Sequence, residues 1–237
     1  MRLLDIFNDY LKIFFLNKKK INHLYDFEYV KKIKTFSEDK KWKTEIKHCI
    51  QEIKLESIKN GLDIGCNAGV GTEFVSKFLK VNMHGVDTSS VAIDYANKYF
   101  KNSKNNYLHY KGDYLPFKDD SFDFVCSFHV IGHVLNSDNF IYEAKRVLKK
   151  KKKILIITPN AYYKIFALLD SLISLYKPDE TVVKYWFPKS LKSLLVKNGF
   201  DEVKTMFVGE MPTILSFFNF LSIFRSRLVI TARKKYK

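Results

Sequence analysis

The sequence predicts an open, doubly wound α/β sheet, and three observations carry that expectation. From Asn60 onward, short apolar runs alternate with segments of helical length, the pattern of repeated strand–helix–strand units. One run, Ile154 to Thr158, is apolar without interruption, as suits a central parallel strand buried on both faces. The stretch Gly61 to Asp87, GLDIGCNAGVGTEFVSKFLKVNMHGVD, shows the unit in full. It holds a strand entry, a glycine-interrupted turn, a helix, a second strand and an acidic residue at that strand's end.

At 237 residues and 46% hydrophobic content, the chain suits one domain with additions and can bury a sizeable core. Its net charge of +16 suggests an acidic partner, nucleic acid or an anionic membrane. Only five of the 41 basic residues are arginine (Arg2, Arg146, Arg225, Arg227, Arg233). Bidentate reading of phosphates and bases favours arginine, so the charge is weak support for a nucleic-acid interface. Cys49, Cys66 and Cys126 are odd in number and widely spaced, with no CxxC pair. This argues for a reducing, cytoplasmic setting and against a disulfide framework or zinc site. Met1 to Leu16 carries Asp5 and Asp9 and no small-residue cleavage site follows, which reads against a signal peptide. No run reaches the roughly 18 apolar residues of a membrane span.

Taken in order, Met1 to Lys20 is an amphipathic helix, with Arg2, Asp5, Asp9 and Lys12 on one side and Leu3, Leu4, Phe7, Tyr10, Leu11, Phe14 and Phe15 on the other. Tyr25 to Lys59 continues as charged, mostly helical sequence, and residues 1–55 are expected to form an N-terminal helical cap on a main domain of 56–237. Strand one is Asn60 to Ile64, its helix runs from about Gly71 to Lys80, and strand two is Asn82 to Asp87. Ser89 and Ser90 can cap a helix Val91 to Phe100. Strand three, Tyr107 to Lys111, ends at Gly112-Asp113; strand four is Phe122 to Ser127; a helix from about Asn139 to Leu148 leads to the strand Ile154 to Thr158. Residues 160–190 form an insert, with an apolar helix Ala161 to Tyr176 and a loop Thr181 to Phe187. Pro188 opens the helix Lys189 to Asn198, closed by Gly199, and Val203 to Val208 and Leu228 to Arg233 are the last strands. Ile214 to Phe224, between them, is apolar but too short to span a bilayer.

The turn does not fit the dinucleotide fingerprint G-x-G-x-x-G, because Asn67 and Val70 stand where the second and third glycines would. Asp63-Ile64-Gly65-Cys66-Asn67-Ala68-Gly69 instead resembles motif I, (D/E)-x-G-x-G-x-G, of the class I S-adenosylmethionine-dependent methyltransferases, in their type 11-like form. Asn67 departs from that motif, but asparagine tolerates positive φ better than other non-glycine residues. Two further blocks resemble the same family. They are Leu115-Pro116-Phe117 with Asp119-Asp120-Ser121-Phe122-Asp123, leading into strand four, and Glu143 to Lys149, similar to an E-x-x-R-V-L-K helix. Where that family turns with Pro and Gly, Lys149 to Lys153 are all lysine, which puts the turn geometry in doubt. The resemblance covers about Gly61 to Thr158. It implies a Rossmann-like sheet of seven strands, mostly parallel with the last antiparallel.

The chemistry of these residues suggests the roles. The backbone of Gly65, Cys66, Asn67, Ala68 and Gly69 would hold the amino-acid end of S-adenosylmethionine, with Asp63 favouring its ammonium group or ordering the loop. Asp87 would accept from both ribose hydroxyls, as an acidic residue ending the second strand does in βαβ nucleotide sites. Asp113 would accept from the adenine amine, with Tyr114 beside the ring; Thr88 and Ser127 complete the set that the resemblance implies. His133, in Gly132-His133-Val134, resembles the family's histidine and is the candidate base; His129, four residues earlier, shares its face if the segment is helical, and the alternative for both, stronger for His129, is a packing or exposed histidine. HVIGH lacks the glutamate of HExxH, so no metal is expected. Tyr162, Tyr163, Tyr185 and Trp186 line an acceptor pocket or belong to the core.

The leading expectation is in-line methyl transfer, yielding S-adenosylhomocysteine, to an oxygen of a small-molecule, sugar or lipid-linked acceptor. The apolar helices would form an acceptor tunnel or lie peripherally on a membrane. The alternatives are an RNA or protein methyltransferase, resting on the lysines, and a cofactor-binding protein without catalysis.

Overall fold

The computed structural model describes residues 40–53, 57–165, 182–211 and 222–236. The expected helices Leu3 to Leu16 and Ile214 to Phe224 lie wholly or largely outside these residues, as does most of Ala161 to Tyr176. Of the N-terminal cap, only α1 (Lys40–Ile53) is described.

The elements that follow are β1 (Asn60–Ile64), α2 (Val70–Leu79), β2 (Asn82–Asp87), α3 (Ser90–Tyr99), β3 (Asn105–His109) and β4 (Phe122–Phe128). Then come α4 (Ser137–Val147), β5 (Leu148–Pro159), α5 (Pro188–Lys197), β6 (Phe200–Val208), a 3-10 turn Ser222–Phe224 and β7 (Arg227–Lys234). Seven strands form one sheet in the order β3-β2-β1-β4-β5-β7-β6. Strands β1 to β5 run parallel, and β7 inserts antiparallel between β5 and β6. The Rossmann-like, mostly parallel architecture expected from the sequence is therefore present, with a switch in strand order between β1 and β4.

Strand alternation sends successive residues to opposite faces. Leu62, Ile64, Val125, Ile154, Ile156 and Ile230 pack with Phe140, Ile141 and Ala144 of α4 and Leu191, Leu194 and Leu195 of α5. Met83, Phe124, Cys126, Leu155, Ile157 and Val229 face the other way, against Val75 of α2 and α1. In α1, Ile46, Cys49, Ile50 and Ile53 recur at helical spacing and are all buried, so this helix closes one face of the main sheet. Cys49, Cys66 and Cys126 are free and buried.

Local chemistry sets the termini. Ser89 accepts the Ala92 N–H at 3.2 Å and Asn136 accepts that of Asn139 at 3.0 Å, capping α3 and α4. Pro188 opens α5, and Gly199, at φ 83°, turns the chain into β6. Three strands differ from the sequence expectation by two residues or more. Strand β3 begins two residues earlier, because Asn102 accepts the Lys104 and Asn105 N–H groups and so completes the turn before Asn105. Strand β6 begins at Phe200, directly after Gly199. Strand β5 begins at Leu148, paired with Phe122, and the register then jumps to Lys153 against Phe124. The lysine run is thus an excursion within a strand, and Lys151 takes φ 63° where the family's glycine would be expected. Lys149 pairs with Asp123 at 2.9 Å, and Lys153 donates to the Ile53 carbonyl at 2.7 Å.

Candidate functional site: a cradle at the carboxyl ends of β1, β2 and β3

Residues 65–69 leave β1 as a tight loop because Gly65, Asn67 and Gly69 all adopt positive φ, at 79°, 49° and 84°. The Gly65 and Cys66 N–H groups both donate to the Val86 carbonyl, at 2.8 and 3.0 Å, which ties the loop to β2. A Cβ on Gly65 would overlap the Val130 side chain, and one on Gly69 would lie 2.8 Å from the Tyr107 ring. Asn67 supports the loop with its own side chain, whose Oδ1 accepts the Ala68 N–H at 2.7 Å. The departure from the glycine motif is therefore accommodated by a residue that takes the required φ and adds a hydrogen bond.

Two carboxylates lie beneath this loop. Asp87 is fixed through both oxygens, Oδ2 accepting the Asn67 N–H at 2.8 Å and Oδ1 the Ser89 N–H at 2.9 Å. Burial pushes its carboxyl above the ordinary aspartate range. Asp63 is wholly buried; its Oδ2 accepts the Thr72 hydroxyl at 2.7 Å, Oδ1 has no N–H or O–H donor, and the Cys126 thiol lies against the carboxyl. Burial, followed by the nearby negative Asp87, raises the Asp63 carboxyl to about 7. Two acceptors this close, one with an oxygen that no N–H or O–H group fills, suit a ligand that brings an ammonium group and hydroxyls. These residues fit the amino-acid and ribose ends of S-adenosylmethionine.

The ends of β2 and β3 meet beside them. The Thr88 carbonyl lies 3.1 Å from His109 Nε2, and a Cβ on Gly112, at φ 92°, would lie 3.4 Å from the Thr88 methyl. Tyr110 is partly buried close to Asp87, Cys66 and Asp113, and burial drives its hydroxyl pKa upward. Asp113 itself is exposed, and its carbonyl accepts the Asn139 side chain at 2.6 Å.

Other residues named from sequence have different company. The Tyr114 ring lies under the Arg146 guanidinium, 4.3 Å from carbon to centroid, and is 62% exposed. The Ser127 hydroxyl donates to the Ile64 carbonyl at 2.9 Å and links β4 to β1. The buried Cys66 thiol donates to the Asn67 carbonyl at 3.5 Å. His129 and His133 do not share a helix. His129 leaves β4 at φ 61°, and His133 closes a turn whose N–H donates to the Val130 carbonyl at 2.8 Å. Gly132 prevents helix continuation there because its carbonyl accepts the Val183 and Lys184 N–H groups. Desolvation, with His133 nearby, lowers His129 to about 4, so its imidazole is neutral at pH 7. Trp186 is buried, donating to the Ile131 carbonyl at 3.2 Å; Tyr162 packs edge-on against Phe187 and Phe224.

Sequence reasoning missed Thr72, Tyr110 and His109. Thr72 was legible as a hydroxyl in the first turn of the helix after a glycine loop. The other two were hidden by a strand whose end was placed two residues late.

Comparison with known proteins follows this geometry. Residues 62–156 match the family model described as a methyltransferase domain. A mitochondrial ubiquinone biosynthesis O-methyltransferase of Dictyostelium discoideum is 33% identical over 43% of this chain and 35% of its own length. The sterol 24-C-methyltransferase of Schizosaccharomyces pombe is 29% identical over 37% of this chain and 24% of its own. The chain thus spans between a quarter and two thirds of the curated relatives matched first. Among solved structures, the complex of the Haloferax volcanii Trm112 methyltransferase activator with a putative methyltransferase aligns at TM-score 0.72 and 16% identity, over 92% of this chain and 99% of that one. That likeness concerns the fold.

Proposed function

We propose that this chain, a member of the class I S-adenosylmethionine-dependent methyltransferases, transfers a methyl group to an oxygen of a small-molecule, sugar or lipid-linked acceptor. The observation that carries this reading is the convergence of the neighbouring carboxylates Asp63 and Asp87 at one positive-φ turn, with no N–H or O–H donor on Asp63 Oδ1. In this reading Asp63 accepts from the cofactor's ammonium, Asp87 from its ribose hydroxyls and Asp113 from the adenine amine. Thr88, which follows Asp87, and Tyr110, close to Asp87 and Asp113, would stand beside the ribose and adenine.

When bound, S-adenosylmethionine supplies an electrophilic methyl group on a sulfonium. The chain's remaining task is to hold an acceptor in line, about 3 to 3.5 Å from that carbon, and to take its proton. We assign the proton to the His133 imidazole, with neutral His129 beside it as a supporting group. Residues 1–55 and 160–190 would shape the acceptor side. The O-methyltransferase name of one relative supports oxygen, and the reducing setting suggested by three free thiols supports a cytoplasmic reaction.

Isothermal titration with S-adenosylmethionine and S-adenosylhomocysteine, against NAD as control, tests the cofactor. Micromolar binding of both sulfur compounds and none of NAD is expected, and binding of neither overturns the proposal.

A further inference from the structure

We infer that a groove between the start of α4 and helix α5 holds an anionic group, phosphate or carboxylate, of the methyl acceptor; the acceptor assignment rests on the methyltransferase reading. The groove has a volume of about 560 Å3, and its lining includes Ser137, Lys184, Trp186, Ser190, Ser193 and Lys197. Asp138 is the single carboxylate in that lining, and Lys197 already pairs with it at 2.8 Å. Lys184 makes no close ion pair among the described residues, and its charge acts on the same Asp138 from further away. Its ammonium sits 3.9 Å from the centroid of the Trp186 ring. Two cations thus face one carboxylate, beside three serine hydroxyls without hydrogen-bond partners among the described residues. Charge and donors together match an oxyanion, which accepts from ammonium and hydroxyl groups at once.

The groove is coupled to the candidate base. The Val183 and Lys184 N–H groups donate to the Gly132 carbonyl at 2.8 and 2.9 Å, and the Trp186 Nε1–H to the Ile131 carbonyl. Leu135, on the groove's wall, is two residues from His133. An acceptor anchored here by its anionic end would be held against the turn that presents His133, and the anchor would contribute to positioning without touching the transferred methyl.

Trp42 and Trp186 are the protein's two tryptophans, so W42F leaves Trp186 as the sole indole reporter. Phenyl phosphate and inorganic phosphate would be titrated into this variant while its fluorescence is followed, with phosphatidylglycerol vesicles as a parallel arm. We expect a saturable change as an anion draws Lys184 off the ring. K184M and K197M, each checked for folding by circular dichroism, should weaken the response about 10- to 100-fold. A response to soluble phosphates identifies a small phosphorylated acceptor, and one to vesicles alone identifies a lipid headgroup. No saturable response in any arm, or an unchanged one in both lysine variants, overturns the inference. Cofactor titration of the same W42F sample separates the two readings. Cofactor binding without an anion response removes only the groove, whereas an anion response without cofactor binding removes the methyltransferase reading and with it the acceptor assignment.

Discussion

Asp87, the last residue of β2, accepts the backbone N–H of Asn67 at 2.8 Å. The carboxylate assigned to the ribose therefore also sets the shape of the loop assigned to the amino-acid end. Cofactor recognition and loop conformation are joined through one side chain, because its second oxygen holds the Ser89 N–H that begins α3.

Replacing Asp87 by alanine should consequently have two effects. Two backbone donors lose a charged acceptor, each such bond contributing about 1.5–3 kcal/mol, so the melting temperature should fall by several degrees or more. Affinity for S-adenosylmethionine, by isothermal titration well below the new melting point, should drop at least about 100-fold. D87N keeps one acceptor oxygen and should lie between. Undiminished affinity in D87A would remove the ribose assignment.

Asp63 gives a pH dependence of defined sign. Its carboxyl is raised to about 7 in the folded chain against an unfolded value near 4, so the folded state holds the extra proton between those values. The associated stability is fully present below about pH 4 and is lost as pH rises through about 7. D63N should flatten this slope, since its amide oxygen still accepts from Thr72, and should make the ligand-free protein more stable than wild type at pH 8 by a few kcal/mol at most. The same variant should bind S-adenosylmethionine less tightly, having lost the charge that faces its ammonium. Denaturant titrations at pH 5 and pH 8 provide the check, and parallel slopes for both proteins would show that Asp63 is ionised throughout.

Gly65 is required by both φ and space. At φ 79° an alanine pays a backbone cost of about 1 kcal/mol, and its Cβ would also overlap Val130. G65A should destabilise the protein by about 2–4 kcal/mol in urea unfolding. Adding V130A removes the overlap but not the backbone strain, so it should restore roughly half of the loss. A double variant no better than G65A would mean that backbone strain alone sets the cost.

These cases show what was legible from sequence. The limits of β1 and β2 could be read to the residue, because glycine and asparagine punctuation brackets apolar runs there. The start of β5 could not, because a run of five lysines reads as a solvated loop and nothing local shows that Leu148 already pairs with Phe122. The histidine turn failed for a similar reason. Spacing of i and i+4 suggests a shared helical face, whereas the Gly132 carbonyl is claimed by Val183 and Lys184, about 50 residues away in sequence. The contact of Tyr114 with Arg146 was not legible because the arginine lies 32 positions later, a relationship that no local pattern encodes.

That same arginine joins two sequence blocks that had been read separately. Arg146 donates to the Leu115 and Phe117 carbonyls at 2.9 and 2.7 Å and pairs with Glu143, which in turn accepts the Leu115 N–H at 2.8 Å. The helix α4 therefore fixes the loop that carries Asp113 and Tyr114, and both ionic side chains of the pair are nearly buried. Removing Arg146 leaves the buried Glu143 carboxylate without its ion pair, so R146M should cost about 3–5 kcal/mol, whereas E143L leaves Arg146 paired with Asp119 at 2.9 Å and should cost less. R146K should recover little, since one ammonium cannot reproduce a planar fork that reaches two carbonyls and the carboxylates of Glu143 and Asp119. The double variant E143L/R146M removes both charges of the buried pair and should be less destabilised than the sum of the singles, while the Leu115 N–H, the Leu115 and Phe117 carbonyls and the exposed Asp119 lose these partners. Urea denaturation of the four proteins measures the coupling. Strict additivity would show that helix and loop are held together by packing and not by the ion pair.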